Sequence, residues 1–294
     1  LVLVAGPLIY LRSLAALRQA AARSPSTSPS PHQRMQVRTA VALAIGIQVV
    51  GLVLTGIGMS WLKHYIDTAG QTRFDRGAER IESEIVRRFN HPLLGLKGAR
   101  GAFAMREGFD RSAFRAYVDS HNLPIEFPGV LGFGYIERVA RADLQAFVDV
   151  ERADGAPDFA VKTQGHAPDL FVIKYIEPLA ANRPALGFDV GQEAVRREAA
   201  ERAVATGQPA LTGTIALVQS GVHSKEFLYF LPVYRRAATA ANGRSDTLAG
   251  LLYAPFTAVD LLQGVIPAND PLFDFELFEG DGTRAEQLIY DADG

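Results

Sequence analysis

The run from Thr39 to Leu62 constrains this chain more than any other stretch. It carries no charge, and Gln48 and a few hydroxyls are its only polar interruptions. Its length matches the roughly 20 residues that an α-helix needs to cross a hydrocarbon core. Trp61 stands at its far end, where aromatic rings favour the membrane interface. A buried soluble helix is the alternative, but uncharged runs of this length are rare in globular cores. A transmembrane helix is therefore expected over 39–62. Arg34 and Arg38 flank its near side, with Arg12, Arg18 and Arg23 upstream. The positive-inside rule then puts the N-terminal side in the cytoplasm and everything after residue 64 outside, in an extracytoplasmic or periplasmic space.

Upstream, residues 1–38 read as an apolar and linker segment. Leu1 to Leu11 is apolar but broken by Pro7 and too short to span alone, and Ser24 to Pro31 is Ser/Pro-rich. The chain opens on Leu1 and closes on Asp-Ala-Asp-Gly, so both ends are expected to be cuts in a longer protein. A net charge of −2 gives no electrostatic footprint for nucleic acid. Without cysteine there are no disulfides, no thiolate catalysis and no zinc–thiolate site.

Beyond the span, Phe74, Ala78, Ile81, Ile85 and Phe89 recur at alternating three- and four-residue spacing, the seam of a helix. That seam either pairs with a second copy of the chain or packs on its own domain. His91-Pro92 interrupts the pattern. Gly95, Gly98 and Gly101 then suggest close helix packing, and Asp110 is placed to cap a following helix. Residues 63–109 are thus expected to form a membrane-proximal helical stalk, and 110–290 a separate folded domain.

From Val130 the texture alternates. Strands are expected over 130–137, 159–162, 170–176, 211–219, 227–234 and 248–254, with a hairpin of 273–278 and 287–290 around Asp281-Gly282. Helices are expected over 141–150, 192–206 (ending on Gly207) and 257–262. Strands in adjacent pairs with single helices between them argue an α+β fold.

No catalytic constellation accompanies this pattern. The P-loop, nucleophile-elbow and zinc-protease motifs are missing, and the six histidines show no metal-ligand spacing. No catalytic residue, metal or cofactor is expected.

The stretch from Tyr175 to Tyr234 carries Y-I-E-P (Tyr175–Pro178), Asn182, L-G-F-D (Leu186–Asp189), Arg196-Arg197, T-G-Q-P (Thr206–Pro209), L-T-G (Leu211–Gly213), L-V-Q (Leu217–Gln219) and F-L-P-V-Y (Phe230–Tyr234). In order and spacing these resemble the CHASE family of extracellular sensor domains, over about residues 70 to 290. The resemblance implies a long membrane-proximal helix, tandem PAS-like subdomains, a homodimer, and a small-molecule ligand in the membrane-distal subdomain. It also implies a second membrane span and a cytoplasmic output module, a histidine kinase or a diguanylate cyclase.

The plant members bind cytokinins, anchoring the adenine with an aspartate. In an ungapped alignment Arg196 falls at that position, Phe230 replaces a pocket threonine, and Val218 falls where a strand offers its backbone. Arginine cannot accept a hydrogen bond from adenine but holds a carboxylate or phosphate bidentately. Cytokinin binding in the plant manner is therefore not expected, and an anionic ligand is. The candidate ligand-binding residues are Arg196, Phe230, Tyr175, Val218, Phe188 and Thr212, with Phe171, Leu186 and Phe227 as further apolar lining. Asp189 is expected to orient the turn that follows it. Glu193–Arg197 and Glu198–Arg202 at i,i+4 spacing argue that part of this helix is a solvated charged face. A membrane-tethered interaction module without a small ligand is the alternative function, and a filled interior near Arg196 and Phe230 would favour it.

Overall fold

The structure is a computed structural model that describes residues 31–105, 110–217, 225–236, 246–266 and 273–292. The chain divides into two compact units, residues 1–73 and 74–294. The first unit, among its described residues, is helix alone. Helix α1 (Pro31–Asn90) contains the apolar run, whose best 18-residue window has a mean hydropathy of 2.3 and is 0% buried. By length and composition this is a helix able to cross a membrane.

In the second unit, α1 ends at Asn90 and α2 (Pro92–Ala104) begins at once, with the expected proline in its first turn. Gly95 and Gly98 allow close approach: a Cβ there would lie 2.3 Å from the Phe133 ring and 2.6 Å from the Tyr117 hydroxyl. Gly101 has open space around it. Helix α3 (Arg111–Asp119) starts as expected on Asp110, whose carboxylate accepts from the Ala113 amide. A short α4 (Leu123–Glu126) leads into the sheet.

The five-stranded sheet comprises β1 (Phe133–Ala140), β2 (Asp169–Glu177), β3 (Ala210–Leu211), β4 (Glu226–Arg236) and β5 (Asp246–Thr257). Its order is β2-β1-β5-β4-β3, with antiparallel pairing throughout. Helices α5 (Leu144–Ala153), α6 (Leu179–Asn182), α7 (Ala194–Thr206) and α8 (Ala258–Leu262) fill the connections. A separate two-stranded sheet pairs β6 (Glu276–Phe278) with β7 (Leu288–Asp291), the expected hairpin. The fold class is α+β, and the sheet is antiparallel.

Two sequence expectations are corrected. Residues 159–162 form no strand; Lys162 makes only an isolated parallel bridge to Phe188. Of the strand expected over 211–219, the described residues form only Ala210–Leu211 and an isolated bridge at Ile215. Thr212 explains the break: its amide donates to the Leu228 carbonyl at 3.0 Å, and its hydroxyl accepts from the Leu228 amide at 3.0 Å. A side-chain oxygen thus takes the place of a strand carbonyl, and the ladder stops.

The sheet has two dissimilar faces. One packs on α2 and α3 through large rings: Phe114, Phe127, Phe133, Tyr135, Tyr175, Phe227, Tyr229 and Phe256. Phe256 is fully buried and stacks on Phe227 and Tyr229 with centroids 5.7 and 5.8 Å away. The other face packs on α7 through Ala199, Ala200 and Ala203, against Phe171, Ile173, Leu228, Phe230 and Tyr253. The stalk seam lies on its own domain: Ile81, Ile85 and Phe89 join a cluster with Leu262 and Val265, and Phe74 stacks on Phe273 at 5.6 Å. Of the two readings of the seam, self-packing is the one observed from Ile81 to Phe89.

Candidate functional site

The residues of the Y-I-E-P and L-G-F-D segments are held by a dense set of local bonds. Glu177 is buried; one oxygen accepts from Arg115 Nε at 3.0 Å and the other from the Leu179 amide at 2.9 Å. Asn182 donates to the carbonyls of Leu131 and Pro178, each at 3.0 Å. Asp189, also buried, accepts from the Gly191 amide (2.9 Å), the Phe171 amide (3.0 Å) and the Thr163 hydroxyl (2.8 Å). It orients the turn, as expected. Gly187 (φ +75°) sits 2.0 Å, from where its Cβ would be, to the Ala160 carbonyl oxygen, a position only glycine fills. These residues build the frame that delivers α7 to the sheet.

The helix itself is anchored at both ends. Glu193 caps its start, its carboxylate accepting from the Val195 and Arg196 amides at 3.0 and 3.1 Å. Gly207 ends it in the left-handed region (φ 66°). Capping occupies Glu193, so the i,i+4 pair expected with Arg197 does not form. Arg197 instead donates to the Gly191 and Asp169 carbonyls at 2.6 and 3.0 Å and pairs with Glu201 at 3.2 Å. The second expected pair, Glu198–Arg202, does form.

Arg196 turns inward. Only 5% of it is exposed, and its Nη2 donates to the Ala216 carbonyl. Its Nε is buried with no hydrogen-bond partner; the nearest carboxylate, Glu193, lies 3.8 Å away. The guanidinium stands over the Phe188 ring, 5.3 Å from the centroid. It lines a cavity with Ile173, Phe188, Leu217, Leu228 and Tyr253. The Tyr253 hydroxyl is fully buried and also lacks a partner. Burial pushes the Arg196 pKa down against the attraction of Glu193 and Glu226, and pushes the Tyr253 phenol well up. Two residues with orphaned donors, one cationic, thus line one small apolar cavity. Each is costly to leave unmet and each suits an acceptor, above all an anion. The cavity measures about 20 Å³, room for a single water.

Of the candidate residues, the structure brings Arg196 and Phe188 together on this cavity. Phe230 is fully buried in the same core but does not line the cavity. Thr212 is buried at the sheet edge with its hydroxyl engaged by the Leu228 amide. Tyr175 lies on the opposite face, in the aromatic core, with its hydroxyl donating to Asp154 at 3.2 Å. The cause is an irregularity in the β1–β2 register at Tyr135/Ile136, which sets Tyr175 and Ile173 on opposite faces. Val218 lies outside the described residues. Of the further lining, Phe171 and Leu186 pack on the α7 side and Phe227 on the aromatic face. Sequence reasoning missed Tyr253. In L-L-Y-A-P-F it reads as one more core aromatic, and only the fold shows that it lines a cavity with Arg196.

The CHASE domain family model matches residues 107–290, more than half of the 294-residue chain. The chain belongs to the CHASE domain family. CHASE domains are sensory domains, typically the extracellular parts of membrane receptors, and this one follows a helix able to span a membrane. No curated protein matches the chain. Among the described residues, no group of three or more histidines and carboxylates is placed to hold a metal ion.

Proposed function

We propose that this CHASE domain is the extracytoplasmic input of a transmembrane receptor, binding a small anionic ligand on the α7 face of its sheet. The observation that carries this is Arg196. A guanidinium 5% exposed, with an unpartnered Nε beside the unpartnered Tyr253 hydroxyl, is expensive unless something is meant to meet it. Arg196 supplies the charge, Tyr253 a second donor, and Phe188 an aromatic wall; Phe230 and Thr212 hold the strand and its edge from behind. Tyr175 belongs to the frame on the far side, and Val218 remains a candidate for backbone contact.

On this reading the sheet order 2-1-5-4-3 is that of a PAS-like subdomain, and the β6–β7 hairpin belongs to the second of a tandem pair. Residues 1–38, 39–62, 63–109 and 110–290 are N-terminal segment, span, stalk and sensor, with the sensor in the periplasm. The protein acts as a homodimer in which ligand biases two arrangements of the juxtamembrane helices. These regulate a cytoplasmic histidine kinase or diguanylate cyclase, as in a two-component system. Coupling of that kind requires different ligand affinities in the two arrangements.

A second reading, a membrane-tethered interaction module without a small ligand, is favoured by the size of the cavity, about 20 Å³. The full chain in lipid nanodiscs, disulfide-locked through engineered cysteines into opposite juxtamembrane arrangements, separates the two. Benzoate, a planar carboxylate, requires the cavity of about 20 Å³ to open by displacement of α7, and is expected to bind the two locked dimers with unequal affinity. Equal affinity removes the receptor mechanism, and no saturable binding of any small carboxylate moves the interaction module to first place.

A further inference from the structure

A second concavity, larger than the one at Arg196, opens on the other side of the L-G-F-D turn. It measures about 390 Å³ and is lined by Arg111 and Arg115 of α3, Lys162 ahead of β2, and Arg183 after α6. That volume is within the range of small-molecule pockets. Its apolar lining includes Pro157, Leu179 and Leu186, with the buried Phe159 beneath, and one acid, Asp158, also lines it. Four cations against one lining carboxylate make it a strongly basic concavity.

Three of the four cations are held in place from behind. Arg111 donates Nη2 to Glu151 at 2.9 Å and Nε to the Asp154 carbonyl at 3.2 Å. Its ring neighbour Tyr175 lies 4.9 Å from the guanidinium carbon. Arg115 gives Nε to Glu177 at 3.0 Å, leaving a side chain 49% exposed. Lys162 donates to the Pro184 carbonyl at 2.8 Å. A guanidinium has five N–H groups and an ammonium three, so each keeps donors to spare. Arg183 is exposed, its carbonyl accepts from the Leu186 amide at 3.2 Å, and its guanidinium has no hydrogen bond or ion pair among the described residues. Side chains already fixed lose little freedom on meeting a ligand, which distinguishes this arrangement from a run of waving surface charges.

Glu151 and Glu177 neutralise part of the charge but are buried in their pairs with Arg111 and Arg115, and the half-buried Asp154 carboxylate accepts from the Arg111 amide and the Tyr175 hydroxyl. The geometry points to a second anion site, independent of Arg196, that takes a small organic phosphate or carboxylate with an apolar body. The anionic group would meet Arg115, Lys162 and Arg183, and the body would rest on Leu179 and Leu186.

The test is calorimetric titration of the full chain in nanodiscs with phenyl phosphate, with benzoate and neutral benzyl alcohol alongside. Variants are Arg183→Gln and Lys162→Gln, neither of which breaks a core contact, together with Arg202→Gln on the outer face of α7 and Arg196→Met. Saturable binding of phenyl phosphate, weakened about tenfold or more by Arg183→Gln and by Lys162→Gln, is expected. It should be unaltered in Arg202→Gln and in Arg196→Met, and benzyl alcohol should not bind. Benzoate binding at the same residues would assign the site to carboxylates as well; phenyl phosphate alone would assign it to phosphates. The inference is overturned if no anion saturates, if the Arg183→Gln/Lys162→Gln double variant binds like wild type, or if Arg202→Gln weakens binding as much. Loss in Arg196→Met with retention in the double variant would place the bound anion at Arg196 and overturn it equally.

Discussion

The two faces of the five-stranded sheet are built from the same strands to opposite standards. The face toward α2 and α3 is packed with stacked and edge-on rings, and three of its hydroxyls are bonded: Tyr135 donates to the Ala249 carbonyl at 2.7 Å, Tyr117 to the Gly95 carbonyl at 2.6 Å and Tyr175 to Asp154 at 3.2 Å. The face toward α7 is packed with alanine methyls against the sheet, holds a buried arginine, and leaves the Arg196 Nε and Tyr253 hydroxyl without partners. A core that only had to be stable would finish both faces in the first way. That difference is what supports placing the proposed ligand on the α7 face, while the aromatic face packs on α2 and α3 and meets Phe89 of α1.

Breaking the platform should have the largest effect. Phe256→Ala removes a fully buried ring that stacks on Phe227 and Tyr229 and meets Phe89 of the stalk edge-on at 5.9 Å. A loss of about 3–5 kcal/mol in unfolding free energy is expected, read by denaturant titration. A loss below about 1 kcal/mol would mean that the aromatic face is not the structural one.

Tyr175→Phe sharpens the comparison at smaller cost. The hydroxyl's bond to Asp154 is worth about 1 kcal/mol, so a modest fall in stability is expected with no change in ligand affinity. A change in benzoate affinity without a change in stability would show that Tyr175 serves the α7 face after all.

The smallest effect concerns pH. Glu84 on α1 sits between Arg87 and Arg88, and hydrogen bonds from both hold its carboxyl near pKa 2, below the ordinary 4.5. Because the folded pKa is depressed, the stabilisation is present above the ordinary value and fades as pH falls from about 4.5 toward 2. Arg88 carries that pairing to the Leu261 and Gln263 carbonyls at 3.0 and 2.6 Å. Glu84→Gln should flatten acid unfolding in this window slightly, since the pair is partly exposed. An unaltered acid profile would show that the pairing does not tie stalk to sensor.

The elements of this fold were largely legible, because their signals are local. The apolar run, the His91-Pro92 break, the Asp110 cap and the Gly207 stop each lie within a few residues of what they specify. The site was less so. Arg196 could be singled out through the family resemblance, but Tyr175 changes face through a shift in register that strand alternation does not announce. Thr212 ends a strand with its hydroxyl, where a Thr in a β-rich run ordinarily continues one. The basic concavity was invisible for a plainer reason. Arg111, Arg115, Lys162 and Arg183 are separated by up to 72 positions and converge only when α3 packs beside β2.

The central claim is that the α7 face holds an anion through Arg196, and titration of benzoate into wild type and Arg196→Met, both as full chains in nanodiscs, tests it most directly. Methionine fills much the same volume without the buried charge, so folding should be preserved or slightly strengthened. The account predicts saturable binding in wild type, of which the component kept in the Arg183→Gln/Lys162→Gln double variant is lost in Arg196→Met. Equal binding in wild type and Arg196→Met would contradict it.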